Sequence, residues 1–156
     1  MSEDKRGFLL LKNRKGYYRN MIRPIVRDRI LLSKRSVPAT KVDLQTVQDL
    51  KDTLSAHRQN CVGMAANMIG VHKRIIIVSL GFFDLVMLNP VITEKKDAYE
   101  AEESCLSLSG ARRTTRYHKI RVRYQDEKMQ TQVQEFSGQT AQIIQHECDH
   151  LEGILI

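Results

Sequence analysis

The sequence predicts an α+β fold, with antiparallel sheets packed around helices and a His-Glu-x-x-His motif on the C-terminal helix. Three observations predict it. Leu44, Val47, Leu50 and Leu54 recur at three- and four-residue spacing, which buries one face of a helix over 43–59. Ile120, Val122 and Tyr124 alternate with Arg121 and Arg123, the period of a half-buried strand. The segment from about Gln139 to Glu152 returns to a helical period and carries His146-Glu-Cys-Asp-His150. A chain of 156 residues suits one domain.

In chain order, residues 1–20 stand apart as an N-terminal extension or leader. They hold six bases and two acids, and the apolar run Phe8–Leu11 is too short for a signal-peptide core, normally ~7–15 residues. Met21 begins the domain, 21–156. Residues 21–42 contain Pro24 and Pro38 and read as extended chain and loop. Asp43 is placed to cap the helix that follows. Cys61 to Gly70 is a small-residue segment. Residues 73–80 and 85–92 read as strands joined at Gly81, the second ending at or before Pro90. An acidic stretch, Glu94 to Glu103, leads into Ser104-Cys-Leu-Ser107. Residues 119–125 and 128–136 form a hairpin turning at Asp126-Glu127. Gly153 is suited to stop the last helix.

Composition narrows the function classes. Hydrophobic residues make up 42% and charged residues 28%, enough apolar content for a folded core. The longest mostly apolar stretch, Arg74–Phe83, is half the ~20 residues of a membrane helix, so no span is expected. Cys61, Cys105 and Cys148 suit no disulfide framework and favour a reducing cytoplasm. The net charge of +7 owes much to the leader, and no basic helix interleaved with aromatics or zinc-finger spacing points to specific DNA binding.

His146 and His150 lie one helical turn apart, ~6 Å along the axis, so both imidazoles can address one metal ion. Glu147, beside the first, can accept and pass on a proton. A mononuclear site needs a third protein ligand, which Cys, His, Asp or Glu could supply. His57, His72 and His118 sit in polar surroundings and read as surface residues. Cys61 reads as a packed thiol, and Cys148 lies ~160° around the helix from His146. Cys105 is a candidate.

Three segments in order resemble the peptide deformylases: Cys61-Val-Gly-Met-Ala-Ala-Asn-Met-Ile-Gly70, Glu103-Ser-Cys-Leu-Ser107 and Gln145-His-Glu-Cys-Asp-His150. Met21–Asp28, Ser36-Val-Pro38, Gly138, Ala141 and Leu151–Leu155 fit as well. The resemblance implies a metallohydrolase that removes the formyl group from the initiator methionine of nascent bacterial polypeptides at the ribosome. It implies Cys105, His146 and His150 as ligands of Fe²⁺, with Zn²⁺, Ni²⁺ or Co²⁺ able to substitute. Glu147 becomes the general acid and base, and the Leu106 backbone N–H an oxyanion donor. Gly63 would let an extended peptide approach. Val62, Ile143 and His146 would border the methionine pocket, and Arg112 would lie near the peptide.

The sequence departs from the family pattern at three positions. Cys61 and Ser104 replace glycines. Met68 replaces the glutamine whose amide donates to the formyl oxygen, and a thioether cannot donate. Loss of one such donor typically costs ~10²–10³ in kcat. The alternative reading is therefore a catalytically impaired deformylase-like protein that binds metal and peptide. An ordinary His-Glu-x-x-His endopeptidase is disfavoured by the Cys-Leu-Ser setting of Cys105.

Overall fold

The computed structural model describes residues 21–156 in full and, within 1–20, only the backbone of three short strands. These are β1 (Ser2–Glu3), β2 (Leu9–Asn13) and β3 (Gly16–Arg19), which pair antiparallel with one another. The leader expected over 1–20 lies largely outside the described residues.

The domain is one five-stranded antiparallel meander between helices. Its strands are β4 (Gly63–Ala65), β5 (Ile75–Ser79), β6 (Asp84–Cys105), β7 (Leu108–Gln125) and β8 (Thr131–Ser137), in that spatial order. Helix α2 (Leu44–Ala56) buries Val47, Leu50 and Leu54 in a cluster with Ile75, Ile77 and Leu88. Helix α3 (Gly138–Leu151) buries Ala141, Ile144 and Leu151 in a second cluster with Ile76, Val78, Ile120, Val122 and Tyr124. Successive residues of β5 thus enter different clusters. Double burial explains its unbroken Ile-Ile-Ile-Val run.

Four local expectations need correction. Residues 21–42 are not all loop: Asp28 accepts hydrogen bonds from the Ile30 and Leu31 amides and caps a one-turn helix, α1 (Arg29–Leu32). Asp43 does not cap α2. It closes a reciprocal box with Thr40 around a 3-10 turn, Lys41–Asp43, and α2 ends at Ala56. β6 does not stop at Pro90, because a bulge between Leu88 and Val91 takes the proline out of the ladder. Asn89, at φ 54°, is held there because its side chain accepts from the Ala39 N–H and donates to the Ala39 carbonyl. The acidic stretch 94–103 is the far half of β6, paired with β7. The β7–β8 hairpin turns at Asp126 as expected, and Gly153, at φ 74°, follows α3.

This topology positions the site. Cys105 pairs with Leu108 at the tip of the long β6–β7 hairpin, with Leu106 and Ser107 as the turn. α3 packs against β4 and β5, and residues of the hairpin tip, α3 and β4 meet around one cavity.

Candidate active site

Cys105 Sγ, His146 Nε2 and His150 Nε2 converge. His150 Nε2 is 3.3 Å from Cys105 Sγ and 3.2 Å from His146 Nε2. One ligand atom from each of the three residues lies within 4.8 Å of the others. Two imidazole nitrogens and a sulfur aimed at one point are a donor set that fits a divalent transition metal. Cys148 is outside the cluster, and so are His57, His72 and His118.

The histidines are supported unequally. His146 Nδ1 is 2.9 Å from Glu103 Oε1, which leaves its Nε2 to face the cluster. Glu103 also takes two hydrogen bonds from Arg116, at 2.9 and 2.8 Å, and one from Gln142 at 2.9 Å. Arg116 reaches on to Asp149 at 2.7 Å. Burial works to raise the Glu103 carboxyl, but its bonds to His146, Arg116 and Gln142 outweigh it and hold it at about 2. Burial works to lower His146, yet Cys105 and Glu103 hold it at about 10. His150 is wholly buried, and burial followed by repulsion from His146 pushes it down to about 3. Among the described residues, His150 Nδ1 has no partner.

Glu147 is buried, with Oε1 3.9 Å from His146 Nε2 and 4.0 Å from His150 Nε2. Its Oε2 has no hydrogen-bond partner among the described residues. Desolvation raises its pKa to about 7. A carboxyl poised near neutrality can both take and return a proton.

A cavity of about 250 Å³ opens over the cluster, and Val62, Gly63, Met68, Cys105, Leu106, Ile143, His146 and Glu147 line it. Of the other sequence-expected residues, neither the buried His150 nor Arg112 is among the lining residues. Arg112 pairs across the strands with Glu103 and donates to the Ser109 carbonyl at 3.2 Å. Gly63 has a packing reason beyond the expected peptide approach. A Cβ there would stand 2.7 Å from Ile143 Cγ2 and 3.2 Å from Glu147 Cγ, so the glycine lets α3 lie against β4. The Cys61 thiol donates to the Gly63 carbonyl at 2.8 Å, and burial pushes its pKa up to about 11.

Asn67 does not replace the missing glutamine, because its amide donates to the His150 carbonyl at 2.9 Å. Sequence reasoning missed Arg116. Its signal was parity: it shares the even phase of Ile120, Val122 and Tyr124 on β7, where a buried arginine demands anionic partners.

The polypeptide deformylase family model matches residues 22–156. The chain belongs to that family. It is 54% identical over 136 residues to a peptide deformylase of Clostridium beijerinckii, covering 87% of this chain and all of the relative. It is 34% identical to one from Desulfitobacterium hafniense, covering 80% of this chain and 85% of the relative. The fold matches a crystal structure of a peptide deformylase from Legionella pneumophila with TM-score 0.80 and 30% identity, covering 86% and 83% of the two chains. A class I type b peptide deformylase from Acinetobacter baumannii bound to Met-Ala-Ser matches with TM-score 0.78 and 27% identity, covering 87% and 96%. These deformylase relatives support the deformylase function, and nothing among them favours the impaired alternative.

Proposed function

We propose that this deformylase hydrolyses the N-formyl group of the initiator methionine on nascent polypeptides, in the cytoplasm and close to the ribosome, with Cys105, His146 and His150 holding Fe²⁺. The observation that carries the reading is the convergence of those three side chains beside a buried carboxyl, Glu147, with one oxygen unpartnered.

A divalent metal bound there would polarise the formyl carbonyl and lower the pKa of water. The chain's own residues supply the rest. As water adds to the formyl carbon, Glu147 takes its proton and then delivers it to the leaving amine nitrogen. Formate and a free amino terminus result. The Leu106 N–H donates to the oxygen on which negative charge develops. Ile143 and Val62, with the stem of His146, receive the methionine side chain in the cavity. Glu103 holds the Nδ1 proton of His146 throughout, so the ring keeps one tautomer.

The test is release of formate from formyl-Met-Ala-Ser by protein loaded anaerobically with Fe²⁺. Turnover abolished by Cys105→Ser, with loss of tightly held metal, is the expected result. Full retention of metal by that variant would remove Cys105 from the ligand set. The domain itself is read as 21–156, so a chain starting at Met21 is expected to fold and load metal normally. A loss of several kcal/mol on truncation would show instead that 1–20 packs on the core.

A further inference from the structure

We propose that Arg27 is a positioning residue for the turn that carries Cys105 and Leu106, and that the segment Met21–Asp28 is a strap setting the width of the catalytic cleft. The inference rests on the function proposed above for the significance of that turn.

The strap is traced by its hydrogen bonds. The Met21 amide donates to Asp52 at 3.0 Å and the Arg23 amide to Thr53 Oγ1 at 2.9 Å, which fixes its start on α2. Arg23 adds an ion pair with Asp49 at 3.2 Å. The next two contacts fall on opposite sides of the cleft. The Val26 amide donates to the carbonyl of Met68, on the β4 side, at 2.8 Å. Arg27 Nη1 donates to the carbonyl of Leu106, at the hairpin tip, at 3.2 Å. Met68 and Leu106 both line the cavity. Two adjacent residues therefore hold its two walls, and Asp28 then caps α1 and ends the strap.

The contact at Leu106 has a chemical consequence. The Leu106 carbonyl and the Ser107 N–H belong to one peptide unit. That N–H points at Cys105 Sγ, 3.4 Å away. A guanidinium on the oxygen polarises the unit and favours the N–H···S contact, as a charged donor does in any hydrogen-bonded chain. It also resists rotation of the Leu106–Ser107 peptide, whose flip would turn the carbonyl toward the sulfur and shift the neighbouring Leu106 N–H. Arg27 touches neither the three converging side chains nor the cavity. Its effect passes through backbone, so it is a positioning residue.

Arg27 is exposed, and Arg27→Met keeps its length and apolar stem without donors. The experiment compares parent, Arg27→Met and Arg27→Lys, all nickel-loaded, by amide hydrogen exchange and by steady-state deformylation of formyl-Met-Ala-Ser. Arg27→Met is expected to exchange about five-fold faster or more in the peptide covering 104–110, with protection elsewhere unchanged. Its kcat should fall roughly three- to ten-fold while KM stays within about two-fold, since the turn matters most when charge develops. Arg27→Lys should recover most of both. Exchange at 104–110 unchanged in Arg27→Met would overturn the proposal. So would faster exchange there with unchanged kcat, or loss of protection throughout the domain. Exchange is read without substrate. A parent that releases no formate would therefore count against the proposed function while leaving the hold of Arg27 on the turn to be judged.

Discussion

The two walls of the cleft are built on opposite principles. On the α3 and hairpin side, a hydrogen-bonded chain runs from the partly exposed Asp149 through the buried Arg116 and Glu103 to His146, and Gln142 and Tyr99 extend it. On the β4 side, Cys61, Asn67 and Met68 offer two sulfurs and one amide that is already spent on the His150 carbonyl. The first wall determines its histidine rotamer several times over. The second presents surface and few donors. Chemistry that depends on holding the ligand side chains is therefore well supported, and chemistry that depends on donors opposite them is thin. Glu147, against both walls, has an unpartnered oxygen and a pKa raised to about 7 by desolvation.

The largest effect should come from that carboxyl. Glu147→Gln keeps shape and burial but removes proton transfer. Formate release should drop by about 10²–10⁴ with metal content and thermal stability close to the parent. A variant that loses its metal as well would mean that Glu147 serves the donor set rather than the proton.

Arg116→Met attacks the ordered wall directly. It leaves the buried Glu103 carboxylate facing His146 without its guanidinium, and breaking a buried pair from one side costs roughly 3–5 kcal/mol. Asp149, a quarter exposed, recovers part of its solvation and adds little. Urea unfolding measures the loss. The acid limb should move too. Because the folded state holds Glu103 at about 2, below its ordinary 4.5, the network's stabilisation is present above pH 4.5 and disappears as pH falls toward 2. Without Arg116 the folded carboxyl sits nearer 4.5, so the pH-dependent contribution should shrink and its decline should end at higher pH. Parent-like acid unfolding in the variant would show that His146 and Gln142 alone hold the carboxylate down.

The same contrast governs what the sequence could disclose. The α3 and hairpin wall was legible because a helical period brings His146, Glu147 and His150 together, and three ordered motifs resemble the deformylases and so imply Cys105. Arg116 was missed, since parity was its one local signal and its partners lie 13 and 33 residues away. The strap left no trace, because Arg27 meets Leu106 across 79 residues and a lone basic residue in a proline-containing segment reads as solvated surface. Pro90 misled for a different reason. A proline ends a strand only where its N–H is needed, and the bulge at Asn89 removes that need. Arg112 was carried over from the family pattern, seven residues after Cys105, and here it donates to the Ser109 carbonyl.

Where the walls meet, Gly63→Ala tests close packing. The added methyl would stand 3.3 Å from the Ile77 carbonyl as well as against Ile143, so overpacking of about 1–3 kcal/mol is expected. Adding Ile143→Ala should restore part of the loss by removing the nearer clash. An unchanged loss in the double variant would place the strain at the Ile77 backbone.

The smallest effect concerns the sparse wall itself. Met68 Sδ lies 3.5 Å from the Ala65 amide, a weak acceptor contact, and the side chain lines the cavity. In Met68→Gln the new carbonyl oxygen can take over the Ala65 N–H, which turns its NH₂ toward the reacting centre. Both polar ends of the buried amide would then be used, so burial should cost little. With equal metal loading, kcat should rise about ten-fold, with a smaller change in KM, because the restored bond forms mainly as charge develops on the formyl oxygen. The parent should still turn over, since the Leu106 N–H and the Glu147 proton relay remain. A folded, fully metallated Met68→Gln no faster than the parent would mean that the cavity already holds another donor. Asn60 and Gln139 line the same cavity, and the one responsible would reveal itself by a fall in kcat on change to alanine.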